Sequence, residues 1–285
     1  MSKVYLNGQF VNEEDATISP MDRGFLFGDG IYEVIPCFSN KPVGLSLHLS
    51  RMKTGLTELQ INYPVDVERW ASIIDTLLSA MPDDANAIYI HVSRGADIKR
   101  FHAYPNDIEP TVFAYAFPIA KEQPLDVSKV KTYRVKTDLD LRWQRCHIKS
   151  TSLLGNVMHF QSGQIEGLDE VILYNEKGEL TEASACNVFV IKNGIISTPP
   201  LDNHILPGIT RRIIIDALSN RRGITVEERA INRSELVDAD EVWISSSSKE
   251  IAPVVEIDGN PVGSGKPGAV WLDAQTAYNE YKFSA

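Results

Sequence analysis

Lys149 lies in Arg145-Cys146-His147-Ile148-Lys149-Ser150-Thr151, between an isoleucine and the small hydroxyl residues that cap a following helix. A partly deprotonated lysine is a nucleophile for carbonyl carbon and a carrier of protons. Taken alone, such a lysine is more often a solvated surface residue, and its company carries the reading. Thr181-Glu182-Ala183-Ser184-Ala185-Cys186-Asn187-Val188-Phe189 sets a carboxylate immediately before a run of small residues and a strand, where it can point into a cavity. By itself Glu182 is more often a glutamate on an exposed hairpin. Leu206-Pro207-Gly208-Ile209-Thr210-Arg211 then introduces a helix whose first amides have no intrahelical partner, a ready site for a phosphate dianion.

Other short patterns fail on their surroundings. Gly28-Asp29-Gly30 begins like a dinucleotide fingerprint, but Glu33 stands where the third glycine belongs and a strand-like run follows. Gly263-Ser264-Gly265-Lys266 resembles a phosphate loop, yet Pro267 replaces the required Ser or Thr. Ser246-Ser247-Ser248-Lys249 fits an acyl-enzyme pattern without its companion motifs. Cys37, Cys146 and Cys186 cannot pair evenly and show no metal-ligand spacing, so they read as reduced thiols.

The elements that must position these residues follow from periodicity and turns. Asn7-Gly8 joins Lys3 to Leu6 with Gln9 to Val11 as a tight hairpin, and Ser39 to Pro42 closes a second one after Ile31 to Phe38. Leu45, Leu49, Met52, Leu56 and Leu59 recur at helical spacing, as do Val67, Trp70, Ile74, Leu77 and Met81, and strands at Ala87 to Val92 and Thr111 to Phe117 come next. That order is an α+β unit built on an antiparallel or mixed sheet. The polar, proline-bracketed PIAKEQP predicts a linker. We therefore expect a small N-terminal domain over residues 1–118, a linker over 119–124 and a larger mixed α/β domain over 125–285. In the second half, strands are expected near Ser128 to Val135, Glu170 to Tyr174, Cys186 to Ile191, Glu241 to Ile244 and Val254 to Ile257. Helices are expected near Thr151 to Gln161, Ile209 to Asn220 and Pro267 to Lys282.

Composition narrows the partners. The 285 residues, 43% hydrophobic, suffice for one large or two ordinary domains, and no apolar run is long enough to span a bilayer. A formal charge of −10 opposes nucleic acid and anionic lipid, which select basic surfaces. The opening MSKVYLNGQF lacks the apolar core of a secretory signal, so a cytoplasmic protein is expected. A small molecule is the expected partner.

Six blocks in order resemble the fold-type IV pyridoxal-phosphate enzymes, which include D-amino-acid and branched-chain aminotransferases and aminodeoxychorismate lyase. They are Asp22 to Val34, with His48-Leu49-Ser50-Arg51; Arg94 to Pro105; Lys149; Thr181 to Phe189; Gly208 to Arg211; and Ser245 to Pro253. The resemblance covers nearly the whole chain and implies a two-domain α/β enzyme with pyridoxal 5'-phosphate as cofactor. Lys149 would be the amine joined to the cofactor aldehyde and the carrier of the substrate α-proton. Glu182 would pair with the ring nitrogen. Arg51, the amides of Ile209 and Thr210, and the hydroxyls of Thr210, Ser246 and Ser247 would hold the phosphate. On residue type alone, Arg51 also suits an outer-face ion pair, and the serines suit an ordinary strand end.

Within the family, Arg94 to Pro105 looks like the loop of D-amino-acid aminotransferases that traps the substrate α-carboxylate. The matching residues are Arg100 and His102, with Tyr32 from the G-D-G-x-Y-E-V block. Without the rest of the match this segment is an exposed basic loop. The resemblance thus implies transamination of D-alanine with 2-oxoglutarate to pyruvate and D-glutamate, ping-pong through pyridoxamine phosphate, in a homodimer. A branched-chain L-aminotransferase, which has no need of Arg100 and His102, and a lyase making 4-aminobenzoate are the rivals; a non-catalytic cofactor carrier is a third. The D-enzymes tend to carry serines where this chain has Ala185 and Cys186.

Overall fold

Asn7 and Gly8 take the positive φ angles, 46° and 93°, that a tight turn demands, and the flanking strands pair with Leu6 opposite Gln9. This hairpin, β1 (Lys3–Leu6) and β2 (Gln9–Asn12), opens the computed structural model, which describes residues 3–285. The chain divides into two compact units. The first runs to Lys121 and takes in Ile148–Leu153 as well. It adds α1 (Arg23–Phe27), β3 (Gly30–Phe38), β4 (Lys41–Pro42), α2 (Leu45–Glu58), α3 (Val67–Leu78), β5 (Ala85–Ser93) and β6 (Thr111–Pro118).

Its six strands are ordered β2-β1-β6-β5-β3-β4, all antiparallel. The period of two decides which side chains meet the helices. Ile88, Ile90 and Val92 of β5 join Leu49, Met52, Leu56, Trp70 and Ile74 of α2 and α3 in one core. Tyr89 and His91 belong to the opposite face, where Tyr89 lies against the rings of Tyr32 and Tyr115. Asp66 caps α3 by accepting from the Arg69 amide at 2.7 Å. Gly55 lets α2 approach β3 closely: a Cβ there would lie 3.1 Å from a methyl of Ile31.

The expected unbroken C-terminal domain from 125 to 285 is corrected at Ile148–Leu153. Those six residues run along β3: Tyr32 donates its amide to the Lys149 carbonyl at 2.9 Å, and Thr151 donates to the Gly30 carbonyl at 3.0 Å. Ile148 enters the first unit's core. For the same reason the helix expected from Thr151 begins only at Leu154: the Thr151 amide is committed to Gly30, and the Ser150 and Leu153 amides close local turns onto Ile148 and Thr151.

The second unit comprises Glu122–His147 and Leu154–Ala285. It contains β7 (Tyr133–Leu139), α4 (Leu154–Ile165), β8 (Glu170–Tyr174), β9 (Leu180–Ala183), β10 (Asn187–Lys192), β11 (Ile195–Thr198), α5 (Ile209–Arg222), β12 (Glu227–Glu228), β13 (Glu241–Ser246), β14 (Glu250–Ile257), β15 (Asn260–Pro261) and α6 (Ala269–Tyr281). The sheet order is β12-β11-β10-β13-β14-β7-β8-β9, with β15 on β14. Parallel pairs β14–β7, β7–β8 and β11–β12 mix with antiparallel ones, giving the mixed α/β body expected. Central strands are buried on both faces. Val188, Val190, Val242 and Ile244 line one core, whereas Phe189 and Trp243, on the other side of the same strands, meet as tilted rings 6.1 Å apart. The strand expected from Ser128 to Val135 lies further on, at β7, because Asp126 takes the Ser128 amide and hydroxyl into a local turn.

Candidate active site

Lys149 is held by its backbone against β3, and its ammonium nitrogen lies 4.1 Å from the centre of the Tyr32 ring. The Gly28-Asp29-Gly30 turn supplies much of that anchoring. The Gly28 carbonyl accepts from the hydroxyls of Thr151 and Ser152 at 3.0 and 3.1 Å. Only glycine fits at 28, where φ is 65° and an added Cβ would meet the Ser152 hydroxyl at 2.4 Å. The glycines dismissed as a nucleotide fingerprint therefore have a different use, which is to seat the lysine.

Next to Tyr32, Glu33 is fully buried and gathers the second half of this unit's cluster. Arg51 donates to both its oxygens, Nε at 2.8 Å and Nη2 at 2.7 Å, and His48 Nδ1 lies 2.7 Å away. Burial by itself would raise the Glu33 carboxyl, but the Arg51 guanidinium and His48 outweigh it and hold it down at about 2. His48 is pushed below its ordinary value by burial, against the pull of Glu33. Arg51 thus faces inward, onto a carboxylate, and is not an outer-face ion pair. Neither Glu33 nor His48 was picked out by sequence reasoning, although both lie within the blocks that carry the resemblance.

Arg100 and His102 come together on one platform, the ring of Phe27. The Arg100 guanidinium carbon is 5.0 Å and the His102 ring 5.4 Å from its centre, and both side chains belong to exposed residues. No hydrogen bond or ring contact among the described residues joins either to Tyr32 or Lys149. His91 lies 3.1 Å through Nδ1 from the Tyr89 hydroxyl.

The second unit carries the acid. Glu182, on β9, is buried; its Oε1 accepts from Arg142 at 2.5 Å, and its Oε2 from Asn187 Nδ2 at 3.1 Å and the Leu206 amide at 3.0 Å. Burial pushes its carboxyl up to about 7, against the opposing pull of Arg142. Arg142 itself is locked by a bidentate pair with Asp140, Nε–Oδ1 3.0 Å and Nη2–Oδ2 2.8 Å, and its ion pairs keep its own affinity for the proton above the ordinary guanidinium range despite burial. Arg142 too was missed by sequence reasoning. Its partner lies 40 positions away, and no local spacing announces the pair.

Asn187 joins this acid to the anion site, donating to both Glu182 and the Leu206 carbonyl, with Gly208 pressed against its Oδ1. Gly208 is the N-cap of α5 and offers no side-chain cap, so the first amides, those of Ile209 and Thr210, remain for an external acceptor. Arg211, on the same turn, faces the other way, to Glu228 and the Pro199 carbonyl. At the end of β13, Ser245 pairs in register with Asn187. The hydroxyl oxygens of Ser245 and Ser246 are buried with no hydrogen-bond partner. Ser247 follows, half-buried.

These donors fit pyridoxal 5'-phosphate. Orphaned hydroxyls and free helix amides suit a dianion. Glu182 Oε1 has accepted only one bond and retains capacity for a ring N–H. Cys186 is held up to about 12 by burial and is an inert thiol.

Residues 30–257 match the family described as amino-transferase class IV. The chain is 37% identical over 283 residues to a D-alanine aminotransferase of Staphylococcus haemolyticus, covering 99% of this chain and 98% of that protein. A D-alanine aminotransferase of Bacillus licheniformis is also 37% identical, over 96% of this chain and 95% of its own length. Among solved structures, the branched-chain amino acid aminotransferase of Escherichia coli superposes with a TM-score of 0.88 at 24% identity, covering 99% of this chain and 94% of that one.

Proposed function

This chain belongs to the amino-transferase class IV family, and from that premise we propose that it transaminates D-amino acids, taking D-alanine and 2-oxoglutarate to pyruvate and D-glutamate. It is an aminotransferase, its cofactor is pyridoxal 5'-phosphate, and its substrates are amino and 2-oxo acids. When bound, the cofactor supplies the electron sink for breaking a bond to the substrate Cα.

Lys149 would hold the cofactor aldehyde and would be the base that moves the α-proton; Tyr32 lies beneath its nitrogen. Glu182 would pair with the ring nitrogen and keep it protonated, and Arg142 with Asn187 fixes the direction in which that carboxylate points. The amides of Ile209 and Thr210 and the hydroxyls of Thr210, Ser246 and Ser247 receive the phosphate, with Arg51 braced by Glu33. Arg100 and His102 form a fork and a second donor for the α-carboxylate, with Tyr32. Holding that group on one side decides which enantiomer turns its Cα–H toward Lys149.

The observation that carries the D-specific reading is the near full-length match to D-alanine aminotransferases, supported by the pairing of Arg100 with His102 on Phe27. The likeness to branched-chain enzymes at 24% identity speaks only to fold. Adding D-alanine and then L-leucine to the purified holoenzyme, and following the cofactor's visible absorption, separates the two. A change with D-alanine alone and release of pyruvate is expected; a change with L-leucine alone gives the branched-chain reading, and turnover of aminodeoxychorismate gives the lyase. Lys149→Ala is expected to abolish turnover while retaining some cofactor. Arg100→Ala is expected to weaken D-alanine use by about 2–5 kcal/mol if it anchors a desolvated carboxylate.

The assembly proposed is a homodimer. Leu154, Val157, Met158 and Ile165 lie on one face of α4 and are 57–77% exposed, an apolar stripe suited to a second copy. No helix of the described residues is long and apolar enough to cross a membrane, and with the net charge this supports a cytoplasmic enzyme. Light scattering of the wild type and of Met158→Glu tests the assembly.

A further inference from the structure

Arg23 and Arg94 meet on one carboxylate. Asp29 Oδ2 accepts from both Nε atoms at 2.8 Å, and its Oδ1 accepts from Arg94 Nη2 at 3.0 Å. All three side chains are at least nine-tenths buried. Two cations on one anion leave a buried positive charge, which must find further acceptors. Arg23 finds three successive carbonyls, donating from Nη1 to Phe101 at 2.6 Å and Ala103 at 3.4 Å, and from Nη2 to His102 at 3.2 Å. Arg94 takes the carbonyls of Leu59 and Gln60, just past α2, and stacks its guanidinium 3.5 Å from the Tyr104 ring.

The loop that carries Arg100 and His102 is therefore wrapped by its backbone around one buried guanidinium. Curling 101–103 onto Arg23 aims the flanking side chains outward, to Phe27, whose ring also lies 4.8 Å from Arg23. Phe27 is followed by Gly28, whose carbonyl accepts from Thr151 and Ser152, and by Asp29 itself. A single turn, Phe27 to Gly30, thus touches both the Lys149 segment and the carboxylate loop.

The geometry points to Asp29, Arg23 and Phe27 as positioning residues that set how the loop presents Arg100 and His102, so that α-carboxylate capture depends on a buried relay that touches no substrate. This rests on the proposed role of Arg100. A loose loop should weaken capture of the amino acid and the 2-oxo acid alike, since both present the same carboxylate, and leave the cofactor's own contacts untouched.

The test is steady-state kinetics of the full-length holoenzyme with D-alanine and 2-oxoglutarate, together with cofactor affinity and melting temperature, for Arg23→Lys, Phe27→Ala, Arg100→Ala and the Phe27→Ala/Arg100→Ala double variant. Arg23→Lys keeps the charge but loses the fork, and Phe27 is only half-buried, so at least one variant should fold normally. Expected for both single positioning variants is a rise in both KM values of about fivefold or more, with kcat within about threefold and cofactor affinity unchanged. In the double variant the KM rise should fall short of the product of the single effects, because Phe27 acts through Arg100. Fully multiplicative effects, an unmoved KM in Phe27→Ala, or a loss of cofactor that parallels the loss of KM would each overturn the inference while Arg100→Ala still supports the carboxylate role. An Arg100→Ala enzyme with wild-type KM would instead overturn that role itself, and the inference with it.

Discussion

Two buried carboxylates, Glu33 and Glu182, sit in sites that drive their protons in opposite directions. Glu33 is held at about 2 against an ordinary 4.5, so its proton is bound more tightly in the unfolded chain. The stability it contributes is complete above pH 4.5 and drains away as pH falls toward 2, on the order of 3 kcal/mol in all. Glu33→Gln should flatten that limb of the acid-unfolding curve; an unchanged slope would show that Arg51 and His48 do not hold the charge. Glu182, raised to about 7, has the reverse sign: its folded form grips the proton, and apoprotein stability should fall as pH rises from 4.5 to 7. Arg142→Met would leave Asp140 and Glu182 without their shared counter-charge and should cost about 3–5 kcal/mol by urea unfolding. At this scale, legibility followed chain distance. Lys149, Glu182 and Arg51 stand in motifs that a reader of sequence can find. Arg142 and Asp29 earn their importance from partners contributed by remote segments, and neither has a spacing that advertises it.

Helix ends show how an element borrows stability from a strand far away in sequence. α6 begins at Gly268 without a capping side chain of its own. Its first amides, those of Val270 and Trp271, are taken by Glu241 on β13 at 3.0 and 2.8 Å, and the same carboxylate accepts from the Trp243 indole at 3.0 Å. Gly268 is required by this arrangement, because a Cβ there would fall 1.9 Å from Glu241 Oε1. Glu241→Ala strips three donors of their acceptor and is expected to cost about 2 kcal/mol or more by thermal unfolding, with Glu241→Gln recovering part of it. A neutral Glu241→Ala would mean that water replaces the cap. Elements with strong periodicity, such as α2, α3 and α5, were legible to within a few residues. α1 is five residues with Phe25 turned to solvent, and β9 and β11 are four residues each, too short for a period to register. β7 was displaced because its polar alternation, Arg134, Lys136 and Asp138, hides a strand whose inward residues are only Tyr133 and Val135.

At the scale of the whole chain, the boundary between units is crossed where composition gives no sign of it. PIAKEQP looks like a linker, whereas Ile148–Leu153 resembles any stretch entering a helix; yet the six residues bearing Lys149 leave the second unit and pack with the first. Burying Ile148 stabilises by about 2 kcal/mol and each backbone bond to β3 by about 1, against an ordering cost of similar size, so this strap should open only when its host opens. Native-state hydrogen exchange can test that assignment. The Thr151 amide, bonded to Gly30, should lose protection along with the β5 amide of Ile90, under the same denaturant dependence. The Cys146 amide, bonded to Asn203 and only five residues earlier, should follow the Val188 amide of β10. If Thr151 instead exchanges with Cys146, the lysine rides with the second unit, and anchoring by the Gly28 turn is not what places it. Agreement with Ile90 would mean that the amine belongs mechanically to the unit that also holds Arg100 and His102, while the acid and the phosphate amides belong to the other. Substitutions around Arg100 and His102 should then shift substrate capture, and those around Glu182 and the α5 amides should shift cofactor retention.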